Sequence, residues 1–348
     1  AKIKFCEGII ADGTVIRNID VIEDTVHLCL EYGFVDEGLL LADAILEVAP
    51  YNSDVWQFRG IFLNNKFEFE EAYFSFQKAV AFNPNDSETL LNKAVAEENL
   101  GLLDDAYVSL EQALLTEPDN EDVHYSLGGL CVKNSKFEKA VEYFENAVEL
   151  DEEFAEAWYE LGVCYDTIEL YEKSLFAYDK YLEIEPYNQI GWFNRGIVLI
   201  EMSEFDRAVN SYELALAIKE DFPSAWFNLG VSYLSLKKYP LAIDAFKIVA
   251  KDNPKDEAAW FYLGTSFEEM NNFGPAIESF NKAIELDTEY YEAYLSRGFC
   301  FKKLNNSESA LRDFDKAMSI LGEFEKEFEK EFEIGFSVEE FNAAINKF

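Results

Sequence analysis

Residues 225–233 read AWFNLGVSY. Thirty-four positions upstream, residues 191–199 read GWFNRGIVL, and another 34 upstream, 157–165 read AWYELGVCY. On the other side, 259–267 read AWFYLGTSF. Counting in steps of 34 from Ile19 gives nine units, starting at Ile19, Ser53, Ser87, Glu121, Ala155, Gln189, Pro223, Glu257 and Tyr291 and ending at Phe324. All five tryptophans, Trp56, Trp158, Trp192, Trp226 and Trp260, fall at position 4 of a unit. A period that captures every tryptophan marks a repeat architecture, in which each unit buries its apolar face against its neighbours.

Other positions keep the same beat. Position 8 is glycine in seven units (Gly60, Gly128, Gly162, Gly196, Gly230, Gly264, Gly298), with Val26 and Ala94 as exceptions. Position 20 is alanine in seven units, with Gly38 and Ser174 as small substitutes. Position 24 is mostly aromatic: Phe76, Phe144, Tyr178, Tyr212, Phe246, Phe280 and Phe314. Positions 4, 7, 8 and 11 share one face of a helix, and 20, 24 and 27 share a face of a second. Small residues at 8 and 20 allow the two helices to approach, and the rings at 4 and 24 fill the space around them. Proline at position 32 in five units (Pro50, Pro84, Pro118, Pro186, Pro254) stops the second helix before the next unit. Pro240 and Pro275 fall near the start of that helix, where proline is tolerated. The expected fold is all-α, a stack of helix-turn-helix units. On this reading the tryptophans are packing residues, each worth about 3–5 kcal/mol against alanine.

This pattern resembles the tetratricopeptide repeat, whose signature is W-x2-L-G-x2-Y, then A-x3-F, then P. The unit at Ala155 carries Trp158, Leu161, Gly162, Tyr165, Tyr178 and Pro186; that at Pro223 carries Trp226, Leu229, Gly230, Tyr233, Ala242, Phe246 and Pro254. The resemblance covers 19–324 and implies one right-handed α-solenoid with a concave surface lined by the first helix of each unit, helix A. Its first unit is the weakest, with Ile22 and Val26 in place of Trp and Gly.

Composition bounds the chemistry. Lys and Arg total 29 against 68 Asp and Glu, a net charge of −39. That balance opposes nucleic acid and anionic membranes and favours basic partners. No apolar run approaches the roughly 18 residues of a membrane span. The cysteines (Cys6, Cys29, Cys131, Cys164, Cys300) are odd in number and lack C-x-x-C spacing, so neither a disulfide framework nor a zinc site is expected, and a reducing cytoplasm fits. Phosphate-loop, dinucleotide, zinc-protease, nucleophile-elbow and EF-hand motifs are missing, and only two histidines are present. His124 occupies a tryptophan position and reads as a packing substitute; His27 falls on the groove side. The reading is therefore a non-enzymatic protein without metal or cofactor.

The resemblance implies that positions 2, 5, 6, 9, 12 and 13 of helix A face the groove. Five consecutive units place an aromatic at position 5: Tyr125, Tyr159, Phe193, Phe227 and Phe261. Nearby are Asp122, Glu156, Glu160 and Asp166, the amides Asn92, Asn194 and Asn228, and Tyr262. Exposed acids are commonly a solvated face and such rings often pack against a neighbouring helix. As a binding surface, rings flanked by acids suit a basic peptide with apolar anchors. Relatives that hold peptide backbones with groove asparagines resemble this chain at Asn92, Asn194 and Asn228 only. Relatives that clamp the C-terminal carboxylate of chaperones use basic residues at positions 2, 5 or 6, where this chain has none. The function expected is a protein-interaction scaffold or adaptor. Two other readings are the regulatory arm of a larger enzyme, as in glycosyltransferases that resemble the family in their arm, and self-association through the open ends of the array.

The ends break the beat. In residues 1–18, Asp12-Gly13 between GIIA and TVI reads as a hairpin turn or as part of a loose lead-in. Residues 325–348 read as one or two capping helices, with Phe324, Phe328 and Phe332 spaced by four and Ser337 and Glu340 as a capping box. The alternative is a mobile Phe-rich helix that occupies the groove or recruits a partner.

Overall fold

The computed structural model describes residues 1–332, and every regular element among them is helical. Helix α1 (Lys2–Ala11) and a 3-10 turn (Val15–Arg17) precede nine helix pairs. Helix A of the pairs is α2 (Ile19–Glu31), α4 (Ser53–Asn65), α6 (Ser87–Asn99), α8 (Glu121–Lys133), α10 (Ala155–Thr167), α12 (Gln189–Glu201), α14 (Pro223–Ser235), α16 (Glu257–Glu269) and α18 (Tyr291–Lys303). Helix B is α3 (Val35–Val48), α5 (Phe69–Phe82), α7 (Leu103–Thr116), α9 (Phe137–Leu150), α11 (Tyr171–Ile184), α13 (Phe205–Ile218), α15 (Tyr239–Asp252), α17 (Phe273–Leu286) and α19 (Ser307–Phe332). The helices group into two compact units, Ala1–Ile184 and the part from Glu185 onward. Within each, helix B packs on its own helix A and on the next, in the manner of an α-solenoid.

The turn between helices A and B is the same nine times. Position 15 has positive φ in every repeat, at Gly33, Phe67, Gly101, Ser135, Glu169, Ser203, Lys237, Asn271 and Asn305. Its N–H donates to the carbonyl of position 12, and the N–H of position 16 donates to that of position 11, as in Phe67 to Asn64 and Glu68 to Leu63. This pair of bonds satisfies two of the carbonyls that the end of helix A leaves open. Only Gly33 and Gly101 are glycine; the other seven side chains tolerate a left-handed conformation.

The core of each repeat is a glycine set against a ring. A Cβ at Gly196 would stand 2.5 Å from Tyr212 and one at Gly264 2.6 Å from Phe280, so position 8 must be bare wherever position 24 is aromatic. The exceptions follow the same rule. Val26 belongs to the repeat with Ala42 at position 24, and Ala94 to that with Leu110. Gly38 leaves room for Phe62, whose ring a Cβ there would meet at 2.2 Å.

Each tryptophan also ties the turn behind it. The indole N–H donates to the carbonyl six residues earlier: Trp56 to Pro50, Trp158 to Glu152, Trp192 to Pro186, Trp226 to Glu220 and Trp260 to Pro254, at 2.9 to 3.1 Å. His124 Nε2 makes the same bond to Pro118 at 3.0 Å. The histidine substitutes for tryptophan in hydrogen bonding as well as in volume, while its buried Nδ1 is left without a partner.

Position 7, assigned above to the apolar face, is basic in four repeats. Arg59, Lys93 and Arg195 donate to hydroxyls at position 23 (Ser75, Ser109, Ser211), and Arg297 forms a bidentate pair with Asp313. Where position 7 is Leu161 or Leu229, position 23 is Ala177 or Ala245. In these four repeats the basic side chain meets a polar partner at position 23, which keeps the buried charge hydrogen-bonded, while in repeat 8 Ser279 faces Leu263 and donates instead to the Pro275 carbonyl.

The N-terminal segment forms neither a hairpin nor a loose lead-in. Cys6 and Ile9 of α1 are buried against the first repeat, and the Cys6 thiol donates to Thr25. Asp12 and Gly13 instead end α1, whose last carbonyls their N–H groups satisfy. At the other end α19 runs unbroken across residue 324, so helix B of repeat 9 and the stretch with Phe324, Phe328 and Phe332 are one helix. The capping box at Ser337 and Glu340 lies outside the described residues.

Candidate functional site

Within Ala1–Ile184, neighbouring A helices touch from α2 to α8; from Glu185 onward they touch from α12 to α18. Each unit thus presents a face made of A helices. Among the A helices of the first unit, Asn92 is on α6, Asp122 and Tyr125 are on α8, and Glu156, Tyr159, Glu160 and Asp166 are on α10. On the second lie Phe193 and Asn194 (α12), Phe227 and Asn228 (α14), and Phe261 and Tyr262 (α16). Asp122 and Glu156 are exposed, and all the others are half-buried.

The rings at position 5 are built in from below. Each leans on the ring at position 24 of its own repeat, at centroid distances of 5.6 to 6.0 Å. A second ring follows in three alternate repeats, from the residue just before the next helix A: Phe154 on Tyr125 at 4.9 Å, Phe222 on Phe193 at 4.8 Å and Tyr290 on Phe261 at 4.9 Å. In the intervening repeats Asn188 and Asp256 occupy that place and cap the following helix with their side chains. Tyr159 then packs on Tyr181 at 5.3 Å, and Phe227 on Tyr262 at 5.4 Å. Tyr262 also stacks on Phe246 at 5.6 Å and meets Phe261 at 5.4 Å. The rings therefore hold repeats together as well as lining a face. The alternation of aromatic and Asn/Asp at position 34 was visible in the sequence and would have revealed this.

The acids divide into two kinds. Asp20, Asp54, Glu88, Asp122 and Glu156 lie in the first turn of their helices, where a carboxylate also stabilises the helix dipole. Glu160 and Glu268 are less exposed. Burial raises the pKa of Glu160, and burial together with the adjacent Glu269 pushes Glu268 up to about 7 against the opposing pull of Lys303. Asp122 is exposed as a residue, but its carboxyl is partly withdrawn from water, which raises its pKa first, followed by Glu121 and Asp151. The phenol of Tyr125 is raised by burial, then by Glu160 and Glu156, so ring and carboxylates share one neighbourhood. Glu98 is paired with Lys133 of the next repeat. Asn92 belongs to the first unit, and Asn194 and Asn228 to the second.

Nucleophile chemistry finds little support in the thiols. All five cysteines are buried and unbridged. Burial pushes Cys164 and Cys300 up to about 12, with Glu160 and Glu268 respectively adding to it, which disfavours the reactive thiolate. Exposed His27 meets Phe58 edge-on at 4.4 Å. Among the described residues no group of three or more His, Cys, Asp and Glu side chains could hold a metal ion, and no helix is long and apolar enough to cross a membrane.

The family model described as tetratricopeptide repeat matches residues 125–189, 193–257 and 238–291. No curated protein matches the sequence. Among solved structures, a tetratricopeptide repeat protein from Parabacteroides merdae is 21% identical, with a TM-score of 0.50 over 67% of this chain and 93% of its own. YrrB, described as a TPR protein with an unusual peptide-binding site, is 24% identical, with a TM-score of 0.47 over 52% of this chain and 93% of its own. MamA is 22% identical, with a TM-score of 0.47 over 48% of this chain and 97% of its own.

Proposed function

This chain is a tetratricopeptide-repeat protein, and from that premise we propose that it is a scaffold whose A-helix faces bind a basic, apolar-anchored segment of a partner protein. The fold is one of protein interaction; the chemistry of the segment rests on one observation. The half-buried Tyr125 ring packs at 4.9 Å on Phe154, the residue just before the helix whose first turn carries Glu156. A ring face supplies apolar contact and attracts cations, and partly buried carboxylates gain by pairing with a ligand's cations. The net charge of −39 adds long-range attraction for a basic ligand. An acidic C-terminal peptide is not expected on these faces, because positions 2, 5, 6 and 9 carry no Lys or Arg.

The test uses the full chain and a fluorescent amphipathic peptide of lysine and leucine, read by anisotropy at two salt concentrations. Neutralising Asp122, Glu156 and Glu160 to their amides is expected to weaken binding about tenfold at low salt, since exposed pairs contribute about 0.2–1 kcal/mol each. It should also flatten the salt dependence. Phe227→Leu, with unchanged melting taken as its folding control, is expected to weaken binding at both salts. Unchanged affinity in both variants would remove the A-helix faces from consideration.

A further inference from the structure

Two repeats carry the same three-residue cluster on the helix B side. In repeat 2 the Trp56 and Phe74 rings stand 6.0 Å apart at 82°, and Lys78 Nζ lies 5.3 Å from the Phe74 ring. In repeat 5 Trp158 and Phe176 stand 6.0 Å apart at 80°, and Lys180 Nζ lies 6.0 Å from the Phe176 ring. The three residues occupy positions 4, 22 and 26 of the repeat. Repeat 8 has Trp260 and Lys282 at the first and last of these, but Glu278 at position 22. The indole and the cation are kept while the phenyl ring between them is missing.

At that place lies a cavity of about 670 Å³, between α15, α16 and α17. Leu263, Phe267 and Trp260 form its apolar lining, and Lys247, Lys251 and Lys282 stand around it. Glu278 and Glu285 also border it, the latter paired with Lys282 at 2.5 Å. Lys247 Nζ lies 5.7 Å from the Phe267 ring. With Lys282 paired to Glu285, Lys247 and Lys251 stand against Glu278, so the lining carries one net positive charge in a chain of net charge −39. A cavity of a few hundred Å³ with an apolar floor of Trp260, Leu263 and Phe267 and a charged rim suits a side-chain anchor flanked by charges.

We propose that this cavity binds an acidic segment of a partner protein by taking in a phenylalanine. The ring occupies the place that Phe74 and Phe176 fill in their own repeats, edge-on to Trp260 and beside Lys282. Carboxylates flanking the phenylalanine meet Lys247 and Lys251. The site is on the helix B side, separate from the A-helix faces, and takes a ligand of opposite charge.

The test is fluorescence anisotropy of the full chain with a labelled, C-terminally amidated 12-residue peptide carrying one phenylalanine between glutamates. The same peptide with alanine in place of phenylalanine is expected to bind about tenfold more weakly, the scale of one well-placed aromatic contact. Glu278→Phe restores the cluster from within, so it is expected to weaken the parent peptide about tenfold while melting is unchanged or raised. Lys251→Glu with Lys282→Glu provides a second variant that does not depend on packing, with a loss that shrinks as salt rises. The proposal is overturned if the parent peptide does not bind, if it binds Glu278→Phe as tightly as the wild type, or if the alanine peptide binds equally well. Self-association of the chain that the peptide competes away would assign the cavity to a second copy and also overturn it.

Discussion

Gly128 faces Phe144 so closely that an added Cβ would stand 2.5 Å from the ring. Gly128→Ala is therefore expected to destabilise the protein by about 2 kcal/mol despite alanine's better helix propensity. Phe144→Leu in the same chain should recover much of this, because Ala94 and Leu110 form that combination in repeat 3. Chemical denaturation of the two single variants and the double variant measures the coupling, expected at about 1–2 kcal/mol in favour of the pair. Additive losses would contradict the packing rule.

Left-handed residues at position 15 offer stability. Lys237 has φ 57° and Phe67 φ 62°. Replacing either with glycine removes a cost of about 1–2 kcal/mol, partly offset by the greater freedom of glycine in the unfolded chain. A net gain of about 0.5–1 kcal/mol in denaturant melts is expected, and the reverse for Gly101→Ala.

Arg297 and Asp313 form a bidentate pair at 2.7 and 2.8 Å, with side chains only 17% and 8% exposed. Asp313→Ala alone leaves the buried guanidinium with only the neutral Asn281 side-chain carbonyl and is expected to cost about 3 kcal/mol. Adding Arg297→Leu should return stability close to that of the parent, since Leu161 with Ala177 and Leu229 with Ala245 fill these positions elsewhere. Thermal melts of the three variants decide it.

The carboxyl of Glu268 has its folded pKa pushed up to about 7 from an ordinary 4.5. The folded state then holds the proton more tightly than the unfolded chain, so stability from this group is present at low pH and lost as pH rises from about 4.5 through 7. Glu268→Gln is expected to match the wild type near pH 4.5 and to melt higher above pH 7. The difference should stay below about 1 kcal/mol because the side chain is partly in water. A melting difference independent of pH would contradict the assignment.

The helix pairs were legible because a 34-residue period is written in large apolar residues, where burial dominates the free energy. What escaped was written in pairs. Val26 and Ala94 looked like lapses until Ala42 and Leu110 were seen facing them. Arg59 and Arg297 stand on the otherwise apolar face of helix A, and only their partners at position 23 explain them. Helix α1 escaped because ten residues outside the repeat carry no period, and its helicity comes from burying Cys6 and Ile9 on the first repeat. The candidate faces were legible as composition. That Phe154, Phe222 and Tyr290 buttress their rings depended on alternation at a single repeat position.

The indole bonds all point backward along the chain, from Trp56, Trp158, Trp192, Trp226 and Trp260 to a carbonyl six residues earlier. Each of these repeats therefore closes the turn of its predecessor rather than its own. During synthesis the turn at Pro186 remains untied until the ribosome has released Trp192, and that at Pro254 until Trp260 emerges. The six-residue spacing also makes these turns the places where a one-residue insertion or deletion would be felt first.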